Sequence, residues 1–254
     1  MSSRRELFLE EIGLTPLWRL KSRDGEAREG EKRDRAVPAA ALAPVFTKPA
    51  AAQTAVDAGD RTGRIAHMDW AELKATVAAC TACGLRKTCT QTVFGVGDER
   101  ADWLLVGEAP GAEEDARGEP FVGQAGKLLD SMLAGIDLKR GEDVYIANVL
   151  KCRPPGNRNP EPLEVAQCSP FLVRQVELIQ PRLVVAMGRF ACQTLLDTDA
   201  SIASLRGRLH RYQGVPLIVT YHPAYLLRNL PDKAKAWEDL CFARRTMADL
   251  LTQA

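Results

Sequence analysis

The chain has 254 residues, enough for one good-sized hydrophobic core plus an appendage. With 34 Lys+Arg against 33 Asp+Glu its net charge is +1, so no global field draws it to nucleic acid, and any such surface must be a local patch. No run approaches the ~20 apolar residues of a membrane span, and the charged start Met1-Ser-Ser-Arg-Arg-Glu is unlike a signal peptide. Seven cysteines, an odd number, then argue against a disulfide framework and for a reducing cytoplasm.

Residues 4–20 read as a short amphipathic helix ending near Gly13, followed by an apolar tail with Trp18. Arg23 to Arg35 is a mixed-charge run, and Val37 to Val56 holds eight alanines and three prolines in 20 residues, which is linker chemistry. The stretch 21–66 is therefore expected to be an unfolded linker. Residues 1–66 carry 12 Lys+Arg against 10 Asp+Glu, a net of +2, which leaves 22 against 23, or −1, for the domain expected over 67–254. That domain opens with a helix from Trp70 into Cys80. Four apolar runs then suit buried parallel strands: Trp103–Val106, Val144–Val149, Leu183–Ala186 and Leu217–Thr220. Helical periodicity follows near 124–135, 161–180, 188–196 and 231–251, and this alternation predicts an α/β fold, a parallel sheet covered on both faces. Ligands of such sheets sit beyond the carboxyl ends of the strands, where the polar motifs of this chain also fall.

The first motif is Gly107-Glu108-Ala109-Pro110-Gly111, in which Gly and Pro force a tight turn and let backbone N–H groups approach a ligand. Glu108 either projects into the crevice or satisfies a helix dipole. Glu113, Glu114 and Asp115 read mainly as a capping cluster, with Glu114 the one that could reach the site. In Pro120-Phe121-Val122-Gly123, Phe121 is either a core anchor or a stacking platform for a planar ring. Asn148 ends an apolar strand, and its amide offers a donor and an acceptor at fixed separation, matching an imide edge; otherwise it caps the next loop. Arg153-Pro-Pro-Gly-Asn157-Arg158 is a stiff basic loop suited to phosphate or to lining a pocket. His222, in Tyr221-His222-Pro223-Ala224-Tyr225-Leu226-Leu227-Arg228, is held extended by Pro223. A neutral imidazole there can donate to a forming oxyanion; as a lone histidine it would be structural. Finally, Cys80-x2-Cys83 with Cys152 and Cys168 has the spacing of soft thiolate ligands for zinc or iron–sulfur, unless the thiols are simply buried.

Together these residues resemble the type 4 uracil-DNA glycosylases, the iron–sulfur branch of that superfamily, over residues 80 to about 228. The resemblance implies a three-layer α/β/α sandwich around a central four-stranded parallel sheet. It also implies hydrolysis of the N-glycosidic bond of deoxyuridine in DNA, with Gly107, Glu108, Ala109, Phe121, Asn148, Asn157 and His222 around the base. Phe121 would stack on the flipped ring, Asn148 would read its O4/N3 edge, and His222 would stabilise charge on O2. Glu108, Asn148 and Asn157 are the candidates to orient water, because Ala109 stands where some other branches place an aspartate. No histidine lies between His67 and His210, so the covalent histidine chemistry of a related branch is not expected. The four-cysteine set would hold a structural [4Fe–4S] cluster, while Cys89, Cys192 and Cys241 have no place in the pattern. Arg153, Arg158, Tyr225, Leu226 and Arg228 would contact DNA, with Leu226 beside Leu227 as an apolar wedge. The competing class is a non-catalytic, metal-stapled nucleic-acid-binding module. A monomer is expected. The peptide Ser3 to Trp18 weakly resembles the amino-terminal peptide of the psi subunit of the bacterial replicative clamp loader, so residues 4–20 are expected to contact replication machinery through Leu7, Ile12 and Trp18.

Overall fold

A computed structural model of the chain describes residues 55–253. The peptide 4–20, with its expected clamp-loader contact, and positions 21–54 of the expected linker lie outside the described residues. The central strands are β2 (Trp103–Gly107), β3 (Val144–Asn148), β4 (Leu183–Met187) and β6 (Val215–Thr220). Every residue of β2, β3 and β4 is buried, as expected where helices cover both faces of a parallel sheet. Two short antiparallel edges complete the sheet, β1 (Val96–Gly97) and β5 (His210–Tyr212), in the order β1-β3-β2-β4-β6-β5. These edges have only two and three residues, too few for an apolar alternation to announce them in the sequence.

Successive side chains point to opposite faces of the sheet, so each strand feeds two cores. Leu104, Val106, Tyr145 and Ala147 pack on one side with Leu172 and Val176 of the helix Pro162–Ile179. Trp103, Leu105 and Ile146 pack on the other with Leu129 and Leu133 of the helix Gln124–Ala134, and with Leu240 and Met247 of the helix Lys233–Thr252. The chain passes from β2 to β3 on one flank, then returns to lay β4 on the opposite flank of β2. The topology reverses there, and a crevice opens outside the carboxyl ends of the strands. Two backbone bonds, Val149 N–H to the Gly107 carbonyl and Leu150 N–H to the Glu108 carbonyl, both at 3.0 Å, carry the β2–β3 pairing beyond the strand ends. The first motif and Asn148 are thereby fixed to each other. No helix of the described residues is long and apolar enough to cross a membrane.

One expectation is corrected. Residues 55–66, assigned to the linker from their small side chains, form the helix Ala55–Ala66. Its Ile65 is buried with Leu73, Val77, Phe94 and Phe171, so the helix is anchored on the domain, which therefore begins before position 67. Alanine-rich composition suits a helix as well as a linker, and burial of an apolar face decides between them. Replacing Ile65 by alanine is expected to cost about 2–5 kcal/mol of local stability. Hydrogen exchange should then accelerate across 55–66 while the β2–β4 amides keep their protection.

Candidate active site

The crevice is a cavity of about 750 Å³, within the range of ligand clefts. It brings together Glu108, Ala109, Phe121, Asn148, Asn157, Arg158, His222, Tyr225 and Arg228, from five separate stretches of sequence. Gly107 lies against two of these side chains. A Cβ built there would lie 2.4 Å from Asn148 Oδ1 and 2.7 Å from Phe121 Cζ, so only glycine leaves room between the amide and the ring. Phe121 and His222 are stacked, with centroids 5.3 Å apart and planes 29° from parallel. Phe121, Asn148 and His222 thus surround one space.

Asn148 is 2 % exposed, and its Oδ1 has no hydrogen-bond partner, alone among buried side-chain N and O atoms of the described residues. A buried acceptor left unpaired costs about 1–3 kcal/mol, and such atoms in native structures call for a ligand or a functional reason. The strand end that carries it is held by Lys151, itself buried. Lys151 Nζ donates to the Asn148 carbonyl at 2.9 Å and to Gln175 Oε1 at 2.6 Å. Burial lowers the Lys151 ammonium to about 8.

His222 caps the short helix Pro223–Leu226: its Nδ1 accepts from the Ala224 N–H at 3.1 Å. An accepting Nδ1 leaves the proton on Nε2, which therefore carries the donor. Desolvation pushes the ring down to about 4, against a smaller opposing effect of Glu114, so the imidazole is neutral at physiological pH. Gly188, at φ +92°, lets the ring seat closely; a Cβ there would lie 2.8 Å from that of His222. Burial raises the Glu108 carboxyl above the usual range, and Arg189, also on the cavity, partly offsets this.

Phe121 has φ +55°, a left-handed conformation costly for a bulky residue. Arg140 secures it, donating from Nη1 to the Pro120 carbonyl at 3.0 Å and from Nη2 to that of Phe121 at 2.9 Å, while its Nε pairs with Asp130. Glu114 adds a second clamp, accepting from the Gly111 and Val122 N–H groups at 3.1 Å and joining the two loops. Arg140 was not legible in sequence, because only the fold brings it to a loop twenty residues away. Arg189 was legible by the rule that found Glu108, since it follows the carboxyl end of β4.

Two expected DNA contacts need revision. Leu226 is 1 % exposed, packed with Tyr221 and Ala236, and cannot wedge into DNA; the neighbouring Leu227, 42 % exposed, is the apolar side chain at the surface. Arg158 lines the cavity, but its Nη1 and Nη2 donate to Glu164 at 3.0 and 2.6 Å, so much of its charge is already engaged. Arg153, half-buried, donates from Nε to Oδ1 of the exposed Asn157 at 2.8 Å, on the surface beside the cavity. Tyr225 faces the cavity with its hydroxyl donated to Asp232, and Arg228 is exposed at the rim.

On the far side of the Asn148 strand end, Cys80, Cys83, Cys152 and Cys168 line a second, small cavity with Leu85, Leu150 and Phe171. Burial raises Cys83, Cys152 and Cys168, the last to about 11, so these thiols hold their protons unless a cation replaces them. Each also feels neighbouring cysteines: Cys168 is raised by Cys80 and Cys83. Among the described residues no three His, Cys, Asp or Glu side chains converge to hold one metal ion; the four thiols surround a space instead. Cys89, unassigned from sequence, is buried beside Cys152 and helps to raise that thiol.

Residues 94–241 match the model of the uracil DNA glycosylase superfamily. The chain belongs to that superfamily. It is similar to the type-4 uracil-DNA glycosylase of Archaeoglobus fulgidus, 51 % identical over 159 residues, which are 59 % of this chain and 79 % of the relative. The type-4 enzyme of Thermotoga maritima is 47 % identical over 60 % of this chain and 80 % of its own length. That of Pyrobaculum aerophilum is 39 % identical over 68 % and 92 %.

Two expectations follow. Gly107→Ala should leave the fold intact by circular dichroism and abolish binding of a planar ligand in the cavity. The His222 ring should stay neutral with its proton on Nε2 well below pH 6, titrating near 4 in ¹⁵N NMR. Because this value lies below that of free imidazole, the contribution of His222 to stability is present above about pH 6.5 and lost as pH falls toward 4.

Proposed function

We propose that this chain excises uracil from DNA, hydrolysing the N-glycosidic bond of deoxyuridine and leaving an abasic site. The observation that carries this proposal is the unpaired Asn148 Oδ1 facing Phe121 and His222 across the space above Gly107. Uracil presents an N3–H donor and an O4 acceptor, so Oδ1 accepts from N3–H and the amide nitrogen donates to O4. Cytosine presents an acceptor at N3 and donors at N4, which meet the same amide with like groups opposed. The anomeric carbon is inaccessible inside a duplex, so the nucleotide leaves the stack and its base enters the cavity against Phe121.

Bond cleavage gathers negative charge on the departing ring. The Nε2–H of a neutral His222 donates to O2 as that charge forms, in a site where desolvation strengthens the bond. The sugar develops cationic character and water adds to it, positioned by Glu108. Asn157 contributes less to that task, because its Oδ1 is already bonded to Arg153. Positioning suffices, since an electrophile of this kind needs little activation of water. Arg189 and Arg228 at the rim are suited to flanking phosphates.

Cys80, Cys83, Cys152 and Cys168 are proposed to hold a [4Fe–4S] cluster, in keeping with the iron–sulfur branch that the motifs resemble. That resemblance, not the geometry of the pocket, favours iron–sulfur over a single zinc ion. When bound, the cluster would supply a covalent tie across remote segments, not chemistry. Cys152 lies four residues beyond Asn148, and the Lys151 N–H donates to Cys168 Sγ at 3.3 Å, so the tie bears on the base-reading strand end.

Purified protein is expected to release free uracil from a uracil-containing oligonucleotide and to leave a cytosine-containing one intact. His222→Ala should lower the single-turnover rate by about 10²–10³, and Asn148→Ala by a similar factor without loss of fold. Wild-type activity on neither DNA, or equal activity on both, would refute the assignment.

A further inference from the structure

The helix Ala55–Ala66 lies upstream of the region matched by the family model, yet it reaches the thiol pocket. Its Arg61 makes three contacts there. Nη1 donates to the Gln167 carbonyl at 2.9 Å, next to Cys168; Nη2 donates to Cys80 Sγ at 3.7 Å; and the guanidinium lies 4.8 Å from the Phe171 ring centroid. Ile65, one turn on, seats in the core formed by Leu73, Val77, Phe94 and Phe171, which fixes the helix in place. Among the described residues, Arg61 is the one side-chain N–H donor to any of the four pocket sulfurs; the other donor is the Lys151 backbone.

From this geometry we infer that Arg61 is the outer-sphere partner of the cluster, a charge-assisted N–H···S donor that holds it in the resting oxidation state and covers its Cys80 edge. This rests on the cluster assignment proposed above. A [4Fe–4S] core on four thiolates is dianionic at rest, and a dianion in an apolar pocket needs nearby positive charge. Lys151, bound to Asn148 and Gln175, supplies one cation, and Arg61, at Cys80, supplies another. One-electron oxidation makes the cluster less negative, so removing a cation from its edge makes that oxidation easier. Loss of the N–H···S bond acts in the same direction, because a donor to a cluster sulfur stabilises the more negative state. Phe171 holds the guanidinium by its face, which favours a planar arginine over lysine at this position.

The test uses the full-length protein loaded with iron, and ferricyanide as a one-electron oxidant that is reduced to ferrocyanide. Bleaching of the visible iron–sulfur absorbance is followed in wild type, Arg61→Leu and Arg61→Lys. Arg61→Leu is expected to bleach about tenfold faster than wild type, and Arg61→Lys at an intermediate rate because charge returns without the fork. Initial uracil-release rates of freshly loaded proteins should match, since Arg61 lies outside the base cavity. Equal bleaching rates in all three proteins would overturn the role of Arg61. A wild-type protein that is colourless and iron-free would overturn the cluster assignment before any variant is compared. If Arg61→Leu cannot be loaded, the Arg61→Lys comparison decides alone.

Discussion

An amide oxygen shut away from water with nothing to donate to it is a standing cost, of about 1–3 kcal/mol. Asn148 bears that cost at the end of a strand every residue of which is buried, and the surroundings maintain it from several directions. Lys151 holds its carbonyl, Gln175 holds Lys151, and Gln175 Nε2 is anchored on the Phe94 carbonyl at 3.0 Å. Backbone bonds tie the following residues to Gly107 and Glu108. These bonds fix the backbone from which the unpaired acceptor projects. Preorganisation of this kind is what distinguishes a binding atom from a packing defect.

The same logic of fixed geometry recurs around it. Phe121 is held in an unfavourable backbone conformation by two carbonyl contacts from Arg140, and His222 is held in one tautomer by the Ala224 amide. Burial keeps the His222 ring neutral and the Ala224 N–H leaves its proton on Nε2, which is the form that the proposed donation to a leaving base requires. Leu150, Lys151 and Cys152, which follow Asn148, line the thiol pocket, so a cluster proposed there would adjoin the amide proposed to read the base.

Much of this was legible in the chain, for reasons that can be stated residue by residue. The four parallel strands are continuous apolar runs, and the motifs that follow them fall at one end of the sheet because chain direction is shared. Glu108, Asn148 and His222 were found by that rule. What escaped were features made by the third dimension: the clamp from Arg140, the pairing of Arg158 with Glu164, and the burial of Leu226 in place of Leu227. Adjacent leucines on a single helical turn look alike in sequence, and only packing says which one faces solvent. The helix over 55–66 was missed because small residues satisfy a linker and a helix equally well, and the burial of Ile65 is invisible from composition.

The most direct test asks what the unpaired oxygen accepts. Free uracil and N3-methyluracil have the same ring and the same O2 and O4 acceptors, but only uracil offers a proton at N3. Each is added as a competitor while uracil release from an oligonucleotide is followed. Uracil should inhibit, and N3-methyluracil should inhibit at least about tenfold less, the penalty of leaving one buried acceptor unpaired. Equal inhibition by the two would contradict the account, because Asn148 Oδ1 would then not be the atom that reads the base.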